Sequence, residues 1–131
     1  MQYGFTLAAR LQASVVLLNT FIVPMYPTPE DEMMGPARPT LIQRTVTEAH
    51  SRLEAARQRL SPPGLTVEFR AAEGQPAEAI ITVAKQEGCE MIVMGTHGHT
   101  GLKHLVLGSV AEHVVRSAPC PVLTVRSGLG T

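Results

Sequence analysis

Hydrophobic positions along this chain alternate between a helical and a strand-like period. Phe5, Leu7, Ala8 and Leu11 recur at helical spacing across residues 4–11, which predicts a chain that begins inside a helix with no start signal. Residues 14–21, Ser-Val-Val-Leu-Leu-Asn-Thr-Phe, are a β-branched apolar run without alternation, the pattern of a strand covered on both faces. Leu41, Ile42, Val46, Ala49, Leu53, Ala56 and Leu60 trace one face of a helix over 40–60, stopped by Ser61-Pro62-Pro63-Gly64. Residues 65–71 alternate, with Leu65, Val67, Phe69 and Ala71 on one side and Thr66, Glu68 and Arg70 on the other, so this strand is expected near a sheet edge with one wet face. A helix follows over 76–87, with Pro76 in its first turn and Gly88 at its carboxyl cap. Residues 91–94 read as a short buried strand, 109–117 as a helix with Val110, Val114 and Val115 inward, and 121–125 as a last strand.

Strands alternating with helices imply an α/β fold: an open, mainly parallel twisted sheet with helices on both faces, Rossmann-like in its winding. The length of 131 residues suits a single domain over 1–131. Between Pro24 and Pro39 five prolines with Gly35 and an acidic trio exclude regular structure, and a long loop is expected there. Met33 and Met34 in that loop read as exposed methionines.

Charge narrows the partners. Eleven basic residues balance eleven acidic ones, so no overall field draws in nucleic acid or an anionic membrane. No apolar run is long enough to span a bilayer and the amino terminus lacks a secretory pattern, which leaves a cytoplasmic location as the expectation. Cys89 and Cys120 lack zinc or C-x-x-C spacing and read as reduced packing residues. His97, His99, His104 and His113 have no carboxylate or thiolate at matching spacing, so no metal site is expected. Glu78, Glu87, Glu112 and His113 are not paired at catalytic spacing and read as solvated helix faces, leaving no catalytic residue.

Chemistry concentrates between Gly95 and Ser109, where Gly95, Gly98, Gly101 and Gly108 punctuate a strand-to-helix connection. In parallel α/β sheets, ligands bind beyond the carboxyl ends of the strands, where a strand leads into a helix. Glycines let main-chain N–H groups approach an anion without a Cβ in the way, and the helix opening at Gly108-Ser109 offers unpaired N–H groups and a positive dipole end. The spacing is neither G-x4-G-K-[ST] nor G-x-G-x-x-G, so a different phosphate cradle is implied. The plain alternative is an ordinary turn with Ser109 capping its helix.

Residues 94–126, from Met94-Gly-Thr-His-Gly-His-Thr-Gly through Gly108-Ser109 to Pro121-Val-Leu-Thr-Val-Arg126, resemble the carboxyl-terminal half of the universal stress protein family. The likeness extends more weakly through the 14–21 strand, the Pro-rich loop and the helix start at residues 75–81. It implies ATP, with Mg2+ as a potential companion: Gly95, Gly98, Gly108 and Ser109 would hold triphosphate and ribose, flanked by Met94 and Val110. Thr20 falls where the family's second strand contributes to the adenine pocket, and His99 where many relatives carry arginine, with Lys103 a nearby cation. The resemblance also implies a homodimer through the last strand and a nucleotide-dependent regulatory or stress-response role. A nucleotide-free dimeric interaction module and a slow ATPase using His97 or His99 stand as alternatives.

One departure bears on the site. Family members open with a central strand in a sheet ordered 3-2-1-4-5, whose end carries an aspartate at the nucleotide, and residues 1–10 here resemble the second half of the helix after it. A sheet without that strand would be closed directly by its neighbours or completed by a partner chain, unless the chain is read from a late start or cut short.

Overall fold

The computed structural model describes residues 1–22, 38–96 and 107–126. Helix α1 spans Gln2–Arg10, β1 Val15–Phe21, α2 Arg38–Leu60, β2 Val67–Glu73, α3 Pro76–Gln86, β3 Ile92–Gly95, α4 Ser109–Ser117 and β4 Val122–Val125. The α/β order and parallel pairing agree with the sequence pattern. Boundaries move by one or two residues: Arg38 and Pro39 belong to the first turn of α2, where a proline's missing N–H costs nothing, β2 begins and ends two residues later than its alternation suggests, and α1 starts two residues earlier than its pattern. Residues 23–37, most of the Pro-rich stretch, lie outside the described residues.

Two helices end in the same way. After α1 the Ala13 N–H donates to the Ala8 carbonyl at 2.9 Å and the Gln12 N–H to Ala9 at 3.2 Å. After α3 the Cys89 N–H donates to Ala84 at 2.9 Å and the Gly88 N–H to Lys85 at 3.3 Å. Both are Schellman caps, which need a left-handed residue, and glycine is the usual choice. Gly88 meets the need at φ 63°, whereas the first cap places Gln12 at φ 54°.

The strands form two separate two-stranded parallel sheets, β1 with β2 and β3 with β4. Val15 sits opposite Val67 and Phe21 opposite Glu73; Ile92 sits opposite Val122 and Gly95 opposite Val125. Helix α2 packs on β1 and β2, and α3 packs on the same pair and against α4, which lies on β4. Helices α3 and α4 thus hold the two half-sheets side by side. Across the split, a Cβ at Gly4 of α1 would stand 3.5 Å from Val93 Cγ1, so α1 rests on β3 while its carboxyl end feeds β1.

This division explains where burial departs from the sequence pattern. The buried apolar residues among those described are Phe5, Ala49, Leu53, Ala56, Ala77, Ala79, Ile81, Ala84, Ala111 and Val114, all on helices. Every residue of β1 is only half-buried, and on the β3 segment Met91 and Val93 are 41% and 39% exposed. Residues 14–21 and 91–94 have the composition of doubly covered strands, but among the described residues each has a strand neighbour on one edge only. On α4 the inward pair is Ala111 and Val114, while Val115 faces solvent, because one residue turns a helix by about 100°.

Candidate functional site

Beyond the carboxyl end of β3 the chain returns on itself. Thr96 donates its N–H to the Val125 carbonyl at 3.0 Å, extending the β3–β4 ladder by one rung, and its own carbonyl accepts the Gly108 N–H at 2.7 Å. That second bond joins the foot of β3 to the start of α4, so Met94, Gly95, Gly108, Ser109 and Val110 are gathered at one end of one half-sheet. Gly98 and His99 lie outside the described residues, as do His97, His104 and Lys103.

Gly108 is the N-cap of α4, at φ −61° and ψ 158°. This is extended backbone that any residue adopts, so no left-handed turn calls for a glycine here. Gly108 has already given its N–H to Thr96, which removes one donor from the expected cradle. The first intrahelical bond runs from the Glu112 N–H to the Gly108 carbonyl at 2.9 Å, leaving the N–H groups of Ser109, Val110 and Ala111 without a partner inside the helix. Among the described residues no side chain caps that end. Ser109 is the first helical residue, exposed, and does not close the turn as a capping serine would. Among the described residues nothing occupies these N–H donors, and they lie at the positive end of the helix dipole.

Thr20 stands near the carboxyl end of β1, opposite Ala72, on the other half-sheet. No described hydrogen bond connects it to the Gly108–Val110 turn. Thr96, whose carbonyl fastens the turn, was not singled out from sequence: the contact is main chain to main chain, and no side-chain type announces it.

Arg70 on β2 donates to Glu87 Oε1 at 2.7 Å and Glu68 Oε2 at 2.8 Å, and Arg116 pairs with Glu112 at 2.6 Å. Glu78 lies in the first turn of α3, where a carboxylate complements the dipole. It borders a cavity of about 260 Å³ at the carboxyl end of β2, lined also by Glu73, Gln75 and Thr82 and remote in sequence from the glycine turn. His113 is exposed. Among the described residues no group of three His, Cys, Asp or Glu side chains could hold a metal, and no helix is long and apolar enough to cross a membrane. Cys89 and Cys120 are free and half-buried. Burial foremost, then the neighbouring Cys120 and Glu87, push the Cys89 thiol above its ordinary range.

Comparison with known proteins gives these features a context. Residues 1–126 match the profile described as the Universal stress protein family. Universal stress protein MJ0577 of Methanocaldococcus jannaschii is 37% identical over 86 residues, 66% of this chain and 53% of the relative. The chain spans about half the length of the curated relatives it matches. The solved structure of MJ0577 superposes with a TM-score of 0.69 at 32% identity, covering 87% of this chain and 76% of that one. Universal stress protein UspA from Lactobacillus plantarum gives 0.70 at 28% identity, over 95% of this chain and 85% of the other. A universal stress protein solved in complex with cAMP shares the fold, with a TM-score of 0.57 at 22% identity over 95% of this chain and 83% of that one.

Proposed function

The chain belongs to the universal stress protein family, and from that premise we propose that it binds ATP at the turn between β3 and α4 and acts as a nucleotide-dependent regulatory or stress-response protein. The observation that carries this reading is the uncapped amino end of α4, where the N–H groups of Ser109, Val110 and Ala111 have no helical partner and the Ser109 side chain is exposed. In the proposed complex Gly95, Gly98, Gly108 and Ser109 surround the phosphates, Met94 and Val110 flank them, His99 adds a polar group, and Thr20 borders the base. Any Mg2+ arrives on the phosphates, since the described residues gather no ligand set of their own. Binding without rapid turnover follows, because phosphoryl transfer needs a water-orienting group and charge stabilisation beyond a cradle, and the carboxylates of Glu87 and Glu112 are engaged by Arg70 and Arg116.

The same reading pairs two chains through β4. By the register, the main-chain groups of Val122 and Thr124 point away from β3, which offers the free edge a two-fold strand contact requires. A second reading, a nucleotide-free interaction module, draws support from the Gly108 N–H being already occupied.

Calorimetry with Mg-ATP separates the two. Under the first reading ATP titrates to saturation and Ser109→Ala weakens it roughly tenfold, about 1.4 kcal/mol, with little effect on stability because that hydroxyl makes no cap bond. An absence of heat at millimolar ATP, in a chain that still sediments at twice 14.1 kDa, would leave only the second.

A further inference from the structure

At the amino end of the β3–β4 half-sheet, opposite the glycine turn, the fold brings the chain's two cysteines together. Helix α3 closes with the Cys89 N–H on the Ala84 carbonyl at 2.9 Å and feeds β3, and α4 closes with the Ala118 N–H on the Val114 carbonyl at 2.8 Å and feeds β4. The two helices pack against each other and their strands pair in parallel, so Cys89 and Cys120 hold corresponding places in two successive helix-to-strand turns. The register makes that correspondence close. Ile92 sits opposite Val122, and its N–H reaches the Pro121 carbonyl at 2.9 Å. Counting back two residues sets Cys120 against Glu90, the residue after Cys89. Parallel strands about 4.8 Å apart and offset by one residue of about 3.3 Å have Cα atoms about 6 Å apart, inside the roughly 4.4–6.8 Å that a disulfide bridges.

The surroundings of the two thiols favour a bond between them. Both are free and half-buried, and Cys120 is among the groups whose charge acts on Cys89, which sets the sulfurs within electrostatic reach of each other. Pro119 and Pro121 flank Cys120 and fix φ on either side of it, so its backbone is held at the entrance to β4. Among the described residues no third ligand joins the pair to make a metal site. The chain contains no other cysteine, so no second pairing within one chain competes.

We propose that Cys89 and Cys120 are a redox pair, which hydrogen peroxide converts into a disulfide across the amino ends of β3 and β4 and a dithiol reopens. One thiolate sulfur attacks the peroxide, whose O–O bond breaks to leave a sulfenic acid and one water. The second thiolate attacks that sulfur, the S–O bond breaks, and a second water leaves. Both thiol protons end in water, and two electrons pass from sulfur to peroxide. The residues joined are 31 positions apart, and the loop between them contains β3, the Thr96–Gly108 bond and all of α4. Oxidation therefore fastens the segment that carries the glycine turn at the end remote from that turn, whether or not a nucleotide binds there.

The test gives the reduced full chain one equivalent of hydrogen peroxide and follows intact mass, peptide maps and thermal unfolding. Both thiols are expected to disappear together, leaving a monomer lighter by two hydrogens and a linked peptide that holds Cys89 and Cys120. The melting midpoint should rise by roughly 7–15 °C, as closing a loop of this length implies, and fall back on addition of dithiothreitol. In glutathione buffers the folded chain should be half-oxidised at a ratio at least tenfold more reducing than the chain in concentrated urea. Cys89→Ser and Cys120→Ser should each stop at a sulfenic acid that dimedone traps, with no rise in the midpoint. Cross-links found only between chains would overturn the proposal, and so would sulfinic acids on both cysteines without a linked peptide. Equal oxidation in buffer and in urea would overturn it as well, since the fold would then do nothing to bring the thiols together, and so would a disulfide that lowers the midpoint.

Discussion

Replacing Gly4 tests the seating of α1, the element that bridges the two half-sheets. Gly4 lies inside a nine-residue helix, where glycine costs roughly 0.5–1 kcal/mol relative to alanine because its backbone loses more freedom on folding. A Cβ at this position would meet Val93 Cγ1 at 3.5 Å and Cβ at 3.8 Å, ordinary apolar contact without overlap. Gly4→Ala should therefore keep the whole propensity gain. With an unfolding entropy of about 2.1 cal/mol/K per residue, the gain raises the melting midpoint by roughly 2–4 °C. Gly4→Leu behaves oppositely, because a branched carbon beyond a Cβ already in contact has no room unless α1 lifts from β3, and overpacking of this kind costs about 1–3 kcal/mol. Thermal unfolding followed by circular dichroism, with urea titration for the free energies, measures both. The reasoning fails if Gly4→Leu is as stable as Gly4→Ala, for then α1 does not rest on β3.

Two further outcomes follow from local geometry. Gln12 holds a left-handed cap position that Gly88 fills without strain at the end of α3, so Gln12→Gly should stabilise the chain by about 0.5–1 kcal/mol; a loss in urea unfolding would mean that the Gln12 side chain contributes something the cap geometry does not contain. The Cys89 thiol, raised chiefly by burial, should alkylate more slowly with iodoacetamide at pH 8 than an unfolded cysteine peptide. Because its folded value lies above its unfolded one, the associated stability is complete below the unfolded value and lost as pH rises through the folded one; equal alkylation rates would contradict this.

Helix faces were the most legible feature of this sequence. The 109–117 helix has the bounds its pattern implies, and Ala49, Leu53 and Ala56 are buried on the face they trace. Strand burial was not legible in the same way. The composition of 14–21 and 91–94 states how covered those strands ought to be, while their actual exposure depends on which chain segments sit beside them, a long-range property no local window contains. The start of β2 was misplaced for a related reason. Leu65 still belongs to the turn, its N–H on the Pro62 carbonyl at 3.4 Å, and Thr66 enters the ladder only through its carbonyl. At the candidate site the glycine spacing located the turn between β3 and α4. It could not reveal that the Gly108 N–H is spent on Thr96, and glycine at that cap does not serve the positive φ that its residue type suggests.

The 2.7 Å bond between Thr96 and Gly108 acts as a clasp at the base of the intervening segment. The two feet are fastened by main-chain atoms, so this bond itself requires no particular side chain at either end. Added length between the feet costs only slowly growing closure entropy. A strand and a helix joined at their feet in this way keep their mutual register through backbone chemistry alone at that point.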